Sequence, residues 1–420
     1  NYDARLAGVK VDKDIFNQGL GSKPEGYKEV IYTFQDDPDH ATISEFIQLP
    51  IIKKFANQLS EVIVFCTDES YEKYHEALTK KTENLAGLSF IKIKHTIDFD
   101  AFVKELLSHM RENEEVILDI THSFRNIPMK LLFALKYIEM TKKVKIRHLY
   151  YGKLVESKEE GIIEDFIHDY DMQKISDILT QFDRTLVLRE ENLGEILEEP
   201  DSKMETFLKS LSNLYEMIEF CQFDRCIEIV NSIVKKCTDI EKSSEDYIII
   251  LPIIKRIKEK FSEFKEAPNN VTKKIILINL LLQHGRYQAA ITFCDQFFRE
   301  ELIRATLSPN NKNFNLKDYL NKRHMGIQYN NVYKLSNYLI FSVYKLRGIE
   351  RKEEGRVSWD ALLNDVSENI ISVTDTCAKY KQSINTFYDD RNHVNHGSSM
   401  KSNSEMIENI HEILKCISVL

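Results

Sequence analysis

Along residues 1–150 the hydrophobic and polar positions alternate between two rhythms. Short β-branched and aromatic runs stand at Val30–Phe34, Val62–Cys66, Phe90–Lys94, Val116–Ile120 and Lys145–Tyr151. Between them, apolar residues recur at helical spacing over Ile43–Leu59, Tyr71–Lys80, Phe99–Glu112 and Pro128–Met140. Strands separated by helices need crossover connections, which predicts a mostly parallel sheet in a Rossmann-like α/β domain. The runs Val62–Cys66 and Val116–Ile120 are nearly continuously apolar, as strands covered on both faces are. No GxGxxG accompanies them.

Beyond Gly152 the strand rhythm fades. From about Asp171 the chain reads as successive amphipathic helices. Polar or Pro/Gly-bearing breaks fall near Glu199-Pro200, Lys242–Glu245, Ala267–Asn270, Pro309–Asn313 and Gly348–Gly355. No internal repeat or low-complexity tract interrupts this order.

Composition sharpens the pattern. The 420 residues predict two or three domains, and 43% hydrophobic with 29% charged residues excludes a disordered or fibrous chain. Only 13 glycines and 8 prolines are present, which favours long helices over a turn-rich all-β fold. The seven cysteines, Cys66, Cys221, Cys226, Cys237, Cys294, Cys377 and Cys416, form no CxxC. Their odd number argues against a disulfide framework or zinc site and fits a reducing, cytoplasmic setting. No apolar run reaches the roughly 18 residues of a membrane span, and no secretory leader is visible. The first residue is Asn1, which suggests a processed or partial chain.

The net charge of −9 argues weakly against nucleic acid, but it is uneven: −13 over residues 1–270 and +4 over 271–420. Residues 121–150 carry a local excess of +6, from Arg125, Lys130, Lys136, Lys142, Lys143, Lys145 and Arg147 against Glu139. A strand edge solvated by lysines accounts for part of this. Positive charge that offsets the phosphates of a nearby ligand is the other reading.

The first chemical constellation is Asp119–Pro128, DITHSFRNIP. A buried strand ends at Asp119-Ile120, and Pro128 opens a helix. Ligands of open α/β sheets bind outside the carboxyl ends of strands. Thr121, His122, Ser123, Arg125 and Asn126 crowd that edge, before a helix N-terminus that favours an anion. Hydroxyls and a guanidinium there suit a nucleotide or another phosphorylated ligand. The plainer alternative is that Thr121 and Ser123 cap the helix, although a cap needs one such residue. Thr67, at the end of the run Val62–Cys66, either lines the same crevice or caps the helix after it.

The second constellation is the segment DDRNHVNHG, with Arg391 and His396 in an RxxxxH pattern. An imidazole can deprotonate a 2′-hydroxyl or protonate the leaving oxygen, and a guanidinium can stabilise the phosphoryl oxygens. RNA cleavage by this pair needs no metal. On a helix the two side chains are about 140° apart and do not share a strict face, and a two-fold partner could complete the site across a shared cleft. The alternative is a polar helix end before Gly397. No His/Asp/Glu cluster has metal-ligand spacing.

Taken together, the two constellations resemble a known family. The N-terminal part is similar to the CARF domains of type III CRISPR accessory proteins, in the group named for a DxTHG signature. It reads here as DITHS, with Ser123 in place of Gly, followed by Phe124–Pro128 and the closing RHLYYG of Arg147–Gly152. The C-terminal part resembles the HEPN nuclease domain. Its RNxxxH form is Arg391-Asn392-His393-Val394-Asn395-His396, and Gly285–Ala290 matches an early HEPN helical pair.

The resemblance implies a CARF-like domain over 1–165, a helical connector over 166–270 and a HEPN-like domain over 271–420. It implies a homodimer, or an oligomer of dimers, that senses cyclic tetra- or hexa-adenylate and then cuts single-stranded RNA in antiviral defence. No cofactor serves catalysis. Arg391, Asn392 and His396 become catalytic. Thr121, His122, Ser123, Arg125, Asn126 and Thr67 become ligand contacts. The family opens with an apolar strand and a GTGNY-type loop, so Asn1 and Tyr2 are expected to be what remains of that loop. His122 and Ser123 leave open whether the domain degrades its own activator. The alternative from another class is a non-catalytic nucleotide sensor that docks a partner through its helices.

Overall fold

The structure, a computed structural model, describes residues 29–85, 87–94, 96–121, 126–155, 160–193, 202–243, 247–310, 336, 367–396 and 402–420. The chain divides into two compact units, Asn1–Gln173 and Lys174–Leu420.

The first unit is α/β. Its strands are β1 (Val30–Phe34), β2 (Asp37–Ser44), β3 (Val62–Cys66), β4 (Leu88–Lys92), β5 (Glu115–Asp119), β6 (Lys145–Leu154) and β7 (Glu160–Asp165). The helices are α1 (Gln48–Phe55), α2 (Asp68–Thr82), α3 (Phe99–Ser108) and α4 (Asn126–Lys142). Five strands form one sheet in the order β2-β1-β7-β6-β5, and β3-β4 form a separate pair.

The expected parallel sheet is therefore corrected to a mixed one. β1–β7 and β5–β6 are parallel, while β1–β2 and β6–β7 are antiparallel. Connection length is the reason. Two residues join β1 to β2 and five join β6 to β7, whereas a parallel crossover needs about a dozen or more. β7, not foreseen from the sequence, lies between β1 and β6, with Ile163 buried. β2 begins Asp37-Pro38-Asp39 and is an edge strand, where proline is tolerated. It takes the first residues of the helix expected at Ile43–Leu59.

β3 and β5 do not pair. A cavity of about 360 Å³ touches both, lined by Val62, Ile63 and Phe65 on one side and Val116 and Leu118 on the other. The core of the unit is split to match. One cluster joins Phe102 and Leu106 of α3 to Leu131, Leu135 and Ile138 of α4. Another packs α1 on β1, with Tyr150 and Ile163.

From α5 (Ile167–Thr185) onward the described residues hold no strand. Helices α6 (Ser202–Glu219), α7 (Phe223–Glu241) and α8 (Leu251–Glu266) follow, then α9 (Asn270–Gln283) and α10 (Tyr287–Leu307). The last three are α11 (Ser367–Lys379), α12 (Lys381–His396) and α13 (Asn403–Val419). Their breaks follow local chemistry. Asn269 caps α9 by accepting from the Thr272 N–H at 2.9 Å. Gly285, at φ +69°, turns the chain between α9 and α10, a left-handed conformation that glycine adopts without strain. Ser402 and Glu405 form a capping box at α13.

α10 is buried almost all round, from Ala290 to Thr306, as a central helix must be. Its buried positions include four charged residues, Asp295, Arg299, Glu301 and Arg304. Among the described residues, no helix is long and apolar enough to cross a membrane.

Candidate functional sites

The N-terminal constellation starts where β5 ends. Asp119, 1% exposed, ends the strand with its carboxylate turned inward. Its Oδ1 accepts the Thr121 N–H at 2.9 Å and the Thr121 hydroxyl proton, and its Oδ2 accepts from Gln48 Nε2 at 3.3 Å. Thr121 Oγ1 in turn accepts the Gly152 N–H of β6 at 2.7 Å. The threonine hydroxyl thus donates to one strand and accepts from the next, fastening the carboxyl ends of β5 and β6 together. Gly152 is required by the close approach of Ile47 rather than by Thr121. A Cβ there would fall 1.5 Å from Ile47 Cδ1 and 3.4 Å from Thr121 Cγ2.

His122, Ser123 and Arg125 lie outside the described residues, as do Asn1 and Tyr2. Asn126 opens α4, and nothing is described of its side chain. Thr67 caps α2. Its oxygen accepts from Ser70 N–H at 3.3 Å and its hydroxyl donates to Ser70 Oγ at 3.0 Å. A second polar cluster on β6, absent from the sequence reading, pairs His148 Nδ1 with Asp165 Oδ2 at 2.5 Å. Burial pushes the Asp165 carboxyl up. Hydrogen bonds from His148 and from the Leu149 and Ile167 amides outweigh that and hold it below its usual value.

The C-terminal constellation lies on α12. Arg391 and His396 share this helix, His396 as its last residue, and Asn392 is exposed. The His396 side chain falls outside the description. Arg391 Nε sits 2.9 Å from Oδ2 of Asp295 on α10. The other oxygen, Oδ1, takes Arg299 Nε at 2.8 Å. Arg299 Nη1 donates to Ser336 Oγ at 3.1 Å, and its guanidinium stands 5.3 Å from the centre of the Tyr388 ring. Burial, then the Asp295 carboxylate, push the Tyr388 phenol well above its usual value. One residue before Arg391, the buried Asp390 accepts from Asn409 of α13 at 2.6 Å.

Neither Asp295 nor Arg299 was singled out in the sequence. The available signal was charge inside an otherwise apolar helix, at Phe293, Cys294, Phe297 and Phe298. Among the described residues, no three His, Cys, Asp or Glu side chains are grouped to hold a metal ion. All seven cysteines are free thiols, and burial raises Cys226 and Cys237 to about 12.

Comparison with known proteins bears on the first unit. Residues 20–155 match the family model described as the CARF domain of the CRISPR system endoribonuclease Csx1. The CRISPR-associated protein MJ1674 of Methanocaldococcus jannaschii is 36% identical over 111 residues, which cover 24% of this chain and 17% of that protein.

Proposed function

This chain carries a CARF domain of a type III CRISPR protein, and on that premise we propose that it is an endoribonuclease activated by cyclic oligoadenylate. One observation carries the reading. A DxTHS strand end inside the CARF match is followed, far along the chain, by Arg391, Asn392 and His396 on a single helix.

In this reading the crevice beyond β5 and α4 takes the activator, with tetra- or hexa-adenylate as candidates. Thr121, His122, Ser123, Arg125 and Asn126 are the contacts, and Thr121 also ties the ends of β5 and β6 together. Asn1, Tyr2 and Thr67 belong to the same proposed surface. Residues 271–420 form a HEPN-like nuclease domain, and 166–270 a helical connector. His396 moves the proton of the 2′-hydroxyl or of the leaving oxygen, and Arg391 stabilises charge on the phosphoryl oxygens. Asn392 orients the substrate. Two copies of the chain meet to complete the cleft, as the resemblance implies, and the angle of about 140° between positions 391 and 396 on an ideal helix is compatible with that. The substrate is single-stranded RNA. The +4 balance over residues 271–420 suits transient engagement rather than tight binding.

The test is cleavage of single-stranded RNA with and without cyclic tetra- and hexa-adenylate. Activity should depend on one of the two rings, survive EDTA and fall by about a hundredfold or more in His396→Ala. His396→Ala cutting as fast as the parent would overturn the site assignment. Tight binding of a ring with no RNA turned over would favour a non-catalytic sensor. Recovery of linearised activator would show that the CARF domain acts on its own ligand.

A further inference from the structure

We infer that Asp295 is the positioning residue for Arg391: it grips the guanidinium by its Nε edge and presents the Nη groups to a phosphoryl oxygen. The inference rests on the reading of Arg391 as part of a nuclease site.

Charge balance within α10 does not require Arg391. Asp295 and Arg299 are i,i+4 neighbours on that helix, each with a side chain only 9% exposed, and they already pair at 2.8 Å. A buried carboxylate needs a partner, and Arg299 supplies one. Yet Asp295 spends its second oxygen on a guanidinium from another helix, and the trio carries a surplus positive charge. Arg391 also differs from Arg299 in exposure. Its side chain is 25% exposed, so it runs from the core out to where a ligand can reach it.

The surroundings restrict its movement. Arg299 is held by Asp295 and Ser336 and lies over the Tyr388 ring, which precedes Arg391 by one turn of α12. A guanidinium has five N–H donors in a fixed fork, and the atom of it that lies 2.9 Å from Asp295 Oδ2 is Nε. The Nη edge keeps the geometry that suits two phosphoryl oxygens. Holding the group ready in that orientation acts on the transition state more than on ground-state RNA binding.

The test uses the full chain, single-stranded RNA and the activating ring. Asp295→Asn keeps the volume and removes the charge. It should lower kcat by about tenfold to a hundredfold while KM stays within about twofold. In an Arg391→Ala background it should cause no further loss. Asp295→Glu keeps the charge but displaces the carboxylate by one methylene, so kcat should fall while the melting transition holds.

A residue serving only charge balance predicts an Asp295→Glu protein as active as the parent, and that result would overturn the inference. So would losses from Asp295→Asn and Arg391→Ala that multiply. A second readout is independent of activity. The Nε–H proton resonance of Arg391, assigned by its absence in Arg391→Lys, should exchange slowly in the parent and fast in Asp295→Asn. Slow exchange in both would also overturn it. Failure of the nuclease reading looks different: Arg391→Ala and His396→Ala would both cut RNA like the parent.

Discussion

A buried carboxylate stands behind a motif residue in each unit, and the two are used differently. Asp119 takes the amide and hydroxyl of Thr121, whose oxygen is then occupied by Gly152 N–H. Asp295 Oδ2 lies 2.9 Å from Arg391 Nε in an ion pair. The first arrangement engages the donor and one of the two acceptor lone pairs of the hydroxyl it holds, and the second approaches its guanidinium at Nε. The Thr121 hydroxyl therefore ties two strands together. Arg391 is the more exposed of the two arginines on Asp295, at 25% against 9% for Arg299. Substitutions in the first unit should accordingly be read in stability, and those around Asp295 in rate.

The largest stability effect is expected from Asp119→Ala. It strands three donors at once, the Thr121 amide and hydroxyl and the Gln48 amide. Each buried donor left without an acceptor costs about 1–3 kcal/mol, so a total near 3 kcal/mol is expected after local relaxation. Denaturation by urea, with hydrogen exchange at the β5 and β6 amides, measures it. Thr121→Val comes next. It keeps the shape, loses the hydroxyl and leaves Gly152 N–H unpaired, at about 1–2 kcal/mol. Thr121→Ser should retain most of that. A Thr121→Val protein with parental exchange at Gly152 would break the comparison, because the hydroxyl would not be the fastening.

Much of the first unit was legible because β-branched runs mark buried strands. Val62–Cys66 is a strand with the bounds expected of it, and Lys145–Tyr151 lies within β6. β2 and β7 were not legible. Asp37, Pro38 and Asp39 do not read as strand, and β7 offers only Gly161, Ile162 and Ile163 between acids. Both were set by hairpin connections too short for a crossover. At the sites, sequence marked which residue types gather but not which are already engaged. The crevice at Asp119–Pro128 pointed to Thr121 as a ligand contact. Its hydroxyl is bound on both sides by residues whose proximity depends on strand pairing. Asp295 was missed for the converse reason, since its partner Arg391 comes from a distant helix.

Acid should act on both units through carboxylates held below their usual value of 3.8. Asp165 is held there although burial opposes it, by His148 and two amides, and Asp183 by Lys260 and Arg256 against the same opposition. A carboxyl with a depressed pKa in the folded state binds fewer protons there than when unfolded. Its contribution is complete above 3.8 and is lost as pH falls through the lower folded value. His148→Gln removes the imidazole bond to Asp165, so the stability gap between it and the parent should narrow as pH falls below about 4. A gap that widened on acidification would reverse the assignment. The effect should be smaller than that of Thr121→Val, because the two amide bonds to Asp165 remain.

The smallest effect is expected at a short ion pair that is exposed to water. Lys209 and Glu205 on α6 approach to 2.5 Å, closer than the 2.9 Å between Arg391 and Asp295. The lysine side chain is 54% exposed, against 25% for Arg391, and water screens the attraction. Ordering a long side chain also offsets what remains. Lys209→Ala should leave the urea midpoint within the scatter of repeated measurements, at low salt and at high salt alike. A loss comparable to Thr121→Val would mean that distance rather than burial sets the worth of these contacts. The contrast between the two motif carboxylates and the surface pairs would then fail, because it depends on Asp119 and Asp295 acting strongly through being out of water.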